Sequence, residues 1–223
     1  MREIVLDTET TGLSVKDGHR IVEIGCIELD ELVPTKKIFH FYLNPGRKVS
    51  EEAFKVHGYS DEFLSDKHKF SEIADNFLEF IRDKKIIIHN AEFDIAHINN
   101  ELLISGKEKI SKINIVDTLE IARNKFPGSP ISLDALCKRF RIDNSKREKH
   151  TAIIDCELLT KVYINLIDQK EPSLDFISDN HESNDFNFKY TNKYSKKIVK
   201  PSDKELVLHK EFLKNSLKKN YFS

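Results

Sequence analysis

Up to Ile167, apolar residues occur in two patterns, short continuous runs and stripes spaced three or four apart. Residues 2–7 form a short apolar run of the kind that fills a buried strand. The β-branched stretch Ile21-Val22-Glu23-Ile24, within His19 to Leu29, predicts a second strand. Residues 36–43 predict a third, closed by the turn residues Asn44-Pro45-Gly46. Three strands in succession suggest an antiparallel meander. The period then lengthens. Ile73, Phe77, Leu78 and Ile81 predict a helix over 71–83, and 85–89 form a short, wholly apolar strand. A helix over 92–105 and a strand over 113–116 follow, and Asp117-Thr118-Leu119-Glu120 matches a capping box that opens the next helix. Pro127-Gly128 ends that helix, and Ser132 caps another carrying Leu133, Leu136 and Phe140. A last helix spans about 151–167, with Ile154, Leu158, Leu159 and Val162 inward. The order βββαβαβα with a mixed sheet predicts an α/β fold in three layers.

Beyond Ile167 the pattern stops. Residues 168–200 are rich in Asp, Asn, Ser and Lys and read as a linker. Order returns at Ser202-Asp203-Lys204-Glu205, a second capping box, after which Leu206, Leu213 and Leu217 share one helical face. Such a helix either folds back or docks on a partner.

Composition agrees with a globular protein: 223 residues, 39% hydrophobic and 33% charged. No run approaches the ~18 apolar residues of a membrane span, so no membrane association is expected. Residues 1–7 read as a strand rather than a basic-apolar signal. Cys26, Cys137 and Cys156 are odd in number and form no CxxC pair, which suits a reducing, cytoplasmic setting. The net charge of −1 hides a division: 189–223 carry +7, 168–188 carry −5, and 1–167 sum to −3.

Three groups carry candidate chemistry. Asp7 and Glu9, two apart on a strand, point to the same side and repel unless a cation lies between them. Oxygen-only ligands favour Mg²⁺ or Mn²⁺, although an isolated DxE is also an ordinary solvated strand end. Asp94, in His89-Asn90-Ala91-Glu92-Phe93-Asp94, stands at a strand-to-helix junction, where it is also a plausible first-turn acid. His150 and Asp155 lie five apart, about 140° around a helix, so they converge only if His150 is on the entering loop. A mobile histidine over a metal site can accept a proton from water.

The ordered set DxE, HNxxFD, HxxxxD resembles the DEDD exonuclease superfamily in its His-containing branch, over residues 2–167. The resemblance implies a ribonuclease H-like fold with a mixed five-stranded sheet. It makes Asp7, Glu9, Asp94 and Asp155 ligands of two divalent ions, Mg²⁺ or Mn²⁺, and His150 the general base. Val56-His57-Gly58, Phe126-Pro127-Gly128, Ser132-Leu133-Asp134-Ala135-Leu136-Cys137 and Ile142-Asp143-Asn144-Ser145-Lys146-Arg147 narrow it to the epsilon, or proofreading, subunits of bacterial DNA polymerase III. The narrower resemblance implies 3′–5′ hydrolysis of mismatched DNA ends, with release of nucleoside 5′-monophosphates. By it, Glu52 and His57 touch the terminal nucleotide, and Thr10 and Gly12 lie along it. Leu13 is either a base wedge or an apolar turn plug, and Phe93 either a stacking residue or core. Asp117 is assigned to capping.

The same resemblance divides the chain into a nuclease unit (1–167), a linker (168–200) and a polymerase-binding tail (201–223). Glu171-Pro172-Ser173-Leu174-Asp175-Phe176 resembles a sliding-clamp motif, with Glu171 where glutamine is usual. A lysine-rich tail could instead hold DNA phosphates, but the regular apolar stripe favours the catalytic subunit of the polymerase. A small accessory subunit is a further partner that the family allows. The competing functions are a 3′ exoribonuclease of the same superfamily and a mainly structural polymerase subunit. The sugar is read by local shape rather than by these motifs.

Overall fold

The computed structural model describes residues 2–145, 147, 149–167 and 201–215. The apolar runs become a five-stranded sheet: β1 (Arg2–Thr10), β2 (Ile21–Asp30), β3 (Val33–Tyr42), β4 (Lys85–Ile88) and β5 (Ile115–Asp117). The strand order is β3-β2-β1-β4-β5. β1–β2 and β2–β3 pair antiparallel, the predicted meander, whereas β4 pairs parallel with β1 and β5 parallel with β4.

Among the described residues the first unit carries seven α-helices: α1 (Glu51–His57), α2 (Asp61–Leu64), α3 (Phe70–Ile81), α4 (Ala91–Ile104), α5 (Thr118–Lys125), α6 (Leu133–Phe140) and α7 (Ala152–Leu166). The strand alternation divides the core in two. Ile4, Leu6, Ile86 and Ile88 face α3 and α4 through Phe77, Ile95 and Ile98. Val5 and Ile87 face the opposite layer through Ala122, Leu136, Cys156 and Leu159. Helices on both faces explain why β1 reads as a continuous apolar run rather than an alternating one. The ribonuclease H-like, three-layer expectation is met.

Two short helices, α1 and α2, were not predicted. Each buries a single residue, His57 in α1 and Leu64 in α2, so neither leaves an apolar stripe in the sequence. Ser132 caps α6 as expected, accepting from Ala135 N, and Thr151, expected within the last helix, is instead its cap, accepting from Ile154 N. β2 runs very close to the start of α7. A Cβ on Gly25 would lie 2.8 Å from the carbonyl carbon of Ala152, so glycine permits the approach.

The chain divides into two units, 1–174 and 175–223. In the second, α8 (Asp203–Asn215) opens on the predicted box: Ser202 N donates to the Glu205 carboxylate at 2.8 Å, and Glu205 N donates back to Ser202 Oγ. Leu206, Val207, Leu208 and Phe212 are exposed on it. The linker 168–200, the motif Glu171–Phe176 and Leu217 lie outside the described residues. Among the described residues no helix is long and apolar enough to cross a membrane.

Candidate active site

The parallel strands β1, β4 and β5 end on one side of the sheet, where an open α/β sheet forms its ligand crevice. β1 delivers Asp7 and Glu9 there, directly opposite Gly25 and Glu23 of β2. Beyond β4, Asn90 takes a left-handed conformation (φ 71°) and turns the chain into α4, whose first turn holds Asp94. The Asp117 carboxylate accepts from Asn90 N and Ala91 N at 3.1 and 3.0 Å. It also caps α5, accepting from Leu119 N at 2.9 Å. Asp117 therefore performs the capping expected of it and also secures α4. Asp94 Oδ1 accepts from Thr8 N and Thr8 Oγ1 at 3.0 and 2.7 Å, which ties α4 to β1 between Asp7 and Glu9.

Asp155 occupies the first turn of α7, and His150 lies on the loop before its N-cap Thr151. That is the arrangement a five-residue spacing required. His150 N donates to Val56 O at 3.2 Å, so α1 holds the loop. Ligand atoms of Glu9, His150 and Asp155 lie within 4.8 Å of one another. Asp7, Glu9, Asp94, His150 and Asp155 all line one cavity of about 330 Å³.

A second, mainly apolar cavity of about 490 Å³ adjoins it, and Glu9 and Phe93 line both. Thr10, Gly12, Leu13, Glu52 and His57 line this second cavity. Leu13 is 84% exposed at its rim, so it is not a turn plug. Phe93 is half-buried, with its ring 4.5 Å from that of His97. His57 is buried against Tyr59, whose N–H donates to its Nδ1 at 3.0 Å. The ring of His19 packs where a side chain on Gly12 would project.

Burial, with repulsion from neighbouring acids, pushes Asp7, Glu9 and Asp94 upward. Burial raises Asp7 well above the usual carboxylate range, and Asp94, Asp155 and Glu9 raise it further. Burial, then the charges of Asp155 and Glu23, push Glu9 up to about 8. Burial pushes Asp94 up to about 7, against the opposing pull of the Thr8 hydrogen bonds. His150 is lowered by burial and by the nearby Arg147. Clustered carboxylates with an imidazole beside them form a hard donor set that fits a divalent ion.

Three residues without an assigned role from the sequence belong to the site. Arg147 reaches Asp155 through Nε and Nη2 at 2.5 and 2.6 Å, and Asp134 through Nη1 at 2.7 Å. Glu23 is fully buried, accepting from Ala152 N at 2.9 Å and Tyr59 Oη–H at 2.8 Å, with His40 Nε2 at 2.7 Å. It joins the start of α7 to the segment after α1. Thr8 orients Asp94. The one sequence signal was an acid inside the apolar run Ile21–Ile27, which a strand covered on both faces does not otherwise tolerate.

A pH dependence follows. Carboxyl groups raised in the folded state favour the protonated form, so their contribution to stability is present below the unfolded value and lost as pH rises through the folded one. A divalent ion displaces those protons. The gain in melting temperature on adding saturating Mn²⁺ should therefore be small near about pH 6 and large near about pH 8. The buried His57 and His97, both lowered by burial, enter both curves and cancel in the difference. An Mn²⁺ effect independent of pH would show that the raised carboxyls are not the ligands.

The exonuclease family model RNase_T matches residues 4–163. The DNA polymerase III subunit epsilon of Rickettsia felis is 47% identical over 98% of both chains. That of Escherichia coli is 48% identical over 73% of this chain and 70% of its own. In fold, exonuclease X in complex with 5′ overhanging duplex DNA is similar over 74% of this chain and 90% of its own, with TM-score 0.58 and 23% identity. The nuclease domain of 3′hExo, a DEDDh family member bound to rAMP, is similar over 74% and 91%, with TM-score 0.63 and 13% identity.

Proposed function

Because this chain belongs to the exonuclease family, among the epsilon subunits of DNA polymerase III, we propose that Asp7, Glu9, Asp94 and Asp155 hold its divalent ions and that His150 is its general base. The protein is a 3′–5′ exonuclease that proofreads DNA replication by removing mismatched 3′-terminal nucleotides. Its catalysis depends on divalent metal. The observation that carries the residue assignment is the convergence of the four carboxyls and His150 on one cavity.

Two ions, Mg²⁺ or Mn²⁺, would neutralise the carboxylates and stabilise the charge that develops on the scissile phosphodiester. The residues of the chain do the rest. The apolar cavity receives the terminal nucleoside, with Phe93 offering a ring face and Leu13 a wedge at the rim. Glu52 and His57 flank it, and Thr10 and Gly12 shape its floor. His150 accepts the proton of the water that attacks phosphorus, and the bond to the leaving 3′ oxygen breaks as the new one forms. A mismatched end reaches the cavity more easily, because fraying costs it less, by at most a few kcal/mol.

The test is release of mononucleotides from a 3′-mismatched primer with Mg²⁺, with a matched primer and an RNA of the same sequence as controls. Faster release from the mismatched DNA is expected. Preference for RNA would instead support the exoribonuclease reading, and no release at all the structural-subunit reading.

Residues 1–167 form the catalytic unit in this reading, 168–200 a linker and 201–223 the polymerase-binding tail. The exposed apolar residues of α8 support the last assignment, since an isolated helix of this length gains stability only by covering such a face. Contact with the sliding clamp through Glu171–Phe176, an accessory subunit and a cytoplasmic location complete the proposal. Deleting 168–223 should leave single-strand hydrolysis intact and abolish co-elution with the polymerase catalytic subunit. Lost hydrolysis would instead make the tail part of the catalytic unit.

A further inference from the structure

We propose that Arg147 is the resident cation of the metal-free site and that metal loading displaces it from Asp155, freeing that ligand and the general base together. The proposal rests on the metal-site reading above. Both oxygens of Asp155 carry a guanidinium N–H, at 2.5 and 2.6 Å. Nη2 also lies 2.9 Å from Nδ1 of His150. The guanidinium side chain is only 7% exposed, and the Asp155 side chain 5%. One side chain thus engages two of the three groups whose ligand atoms cluster within 4.8 Å.

The chemistry of each partner makes the contact exclusive. Arginine only donates, so Nδ1 of His150 must accept and Nε2 must hold the imidazole hydrogen. A neutral imidazole in that state has no free lone pair with which to take a proton from water. An ion drawn to Asp155 competes with a bidentate fork for the same oxygens. Release of Arg147 therefore opens the ligand and restores a basic nitrogen in one movement. The third bond of Arg147, from Nη1 to the half-exposed Asp134, is independent of Asp155 and keeps the side chain tethered after release.

Repulsion explains why such a cation is needed. Asp7, Glu9, Asp94 and Asp155 crowd one buried cavity; without an ion, protons on the raised Asp7, Glu9 and Asp94 offset part of their charge, and a cation is left to offset Asp155. Arg147 does so without ligating metal. It is a positioning residue that stabilises the empty site and weakens metal binding for the same reason.

The test uses the full chain, with Mn²⁺ as the probe, read by calorimetric titration and by thermal melting. Arg147→Met should bind Mn²⁺ about tenfold more tightly or better. Its metal-free melting temperature should fall by about 3–8 °C. At saturating Mn²⁺ its melting temperature should return to that of the parent, because the lost contact is absent from the loaded state. Arg147→Lys, which keeps the charge and loses the fork, should lie between the two. Equal or weaker Mn²⁺ affinity in Arg147→Met, or a deficit in melting temperature that persists at saturation, would overturn the inference alone. Failure of the parent chain to bind Mn²⁺ would overturn the metal-site reading and the inference with it.

Discussion

Asp7→Asn should lower mononucleotide release by about 10³-fold or more, a loss of about 4 kcal/mol of transition-state stabilisation. Asp7 is placed at the centre of the acidic cluster, where Asp94, Asp155, Glu9 and Glu23 all act on it. Asparagine has the same shape and packs on β1 in the same way, but it carries no charge and is a poor ligand for a hard divalent ion. Stability should move in the opposite direction. Removing a buried, repelled carboxyl relieves the metal-free fold, so the melting temperature without metal should hold or rise at neutral pH. Loss of activity with no loss of stability separates a ligand from a packing residue. Mn²⁺ titration is the deciding measurement: parent-like affinity in Asp7→Asn would remove Asp7 from the ligand set, whatever the rate.

The sheet and its larger helices were legible because burial on both faces leaves apolar runs such as Ile4–Leu6 and 3–4-spaced stripes such as Ile73–Ile81. Caps were legible because Asp117, Ser132 and Ser202 act within a few residues of themselves. α1 was not, since a seven-residue helix that buries only His57 carries no period. β5 begins two residues later than expected, at Ile115, because Lys112–Asn114 form a 3₁₀ turn that propensity does not distinguish from a strand start. The carboxylates and His150 were readable as motifs. What the motifs lack is the residues that hold them. Glu23 acts on Ala152, 129 positions away, and Thr8 acts on Asp94 across 86. Arg147 ends the family-like segment Ile142–Arg147, yet its role depends on where α7 places Asp155. Local pattern holds no record of such contacts, which exist only after the sheet has brought β1, β2 and α7 together.

His150→Ala tests the remaining catalytic assignment and should separate rate from metal binding. General-base assistance contributes about 10²–10⁴-fold, so single-turnover hydrolysis should fall by that factor at neutral pH. Mn²⁺ affinity should survive, because Glu9 and Asp155 keep their oxygens and the imidazole side chain is 44% exposed at the edge of the cluster. Folding should survive as well: α7 is held at Ala152 by Glu23 and at Ile154 by Thr151, neither of which involves the imidazole. The pH profile supplies an independent readout. In the parent, burial and the charge of Arg147 hold His150 below its ordinary value, so the imidazole is neutral near neutral pH and accepts a proton once Arg147 no longer donates to its Nδ1. The acid limb due to its protonation should vanish in the alanine variant, while the limb due to competition between protons and metal at Glu9 and Asp94 remains. His150→Gln, which can hydrogen-bond a water but cannot take its proton, should be as slow as alanine. Recovery of most of the rate in glutamine would show that position 150 orients the water instead of deprotonating it.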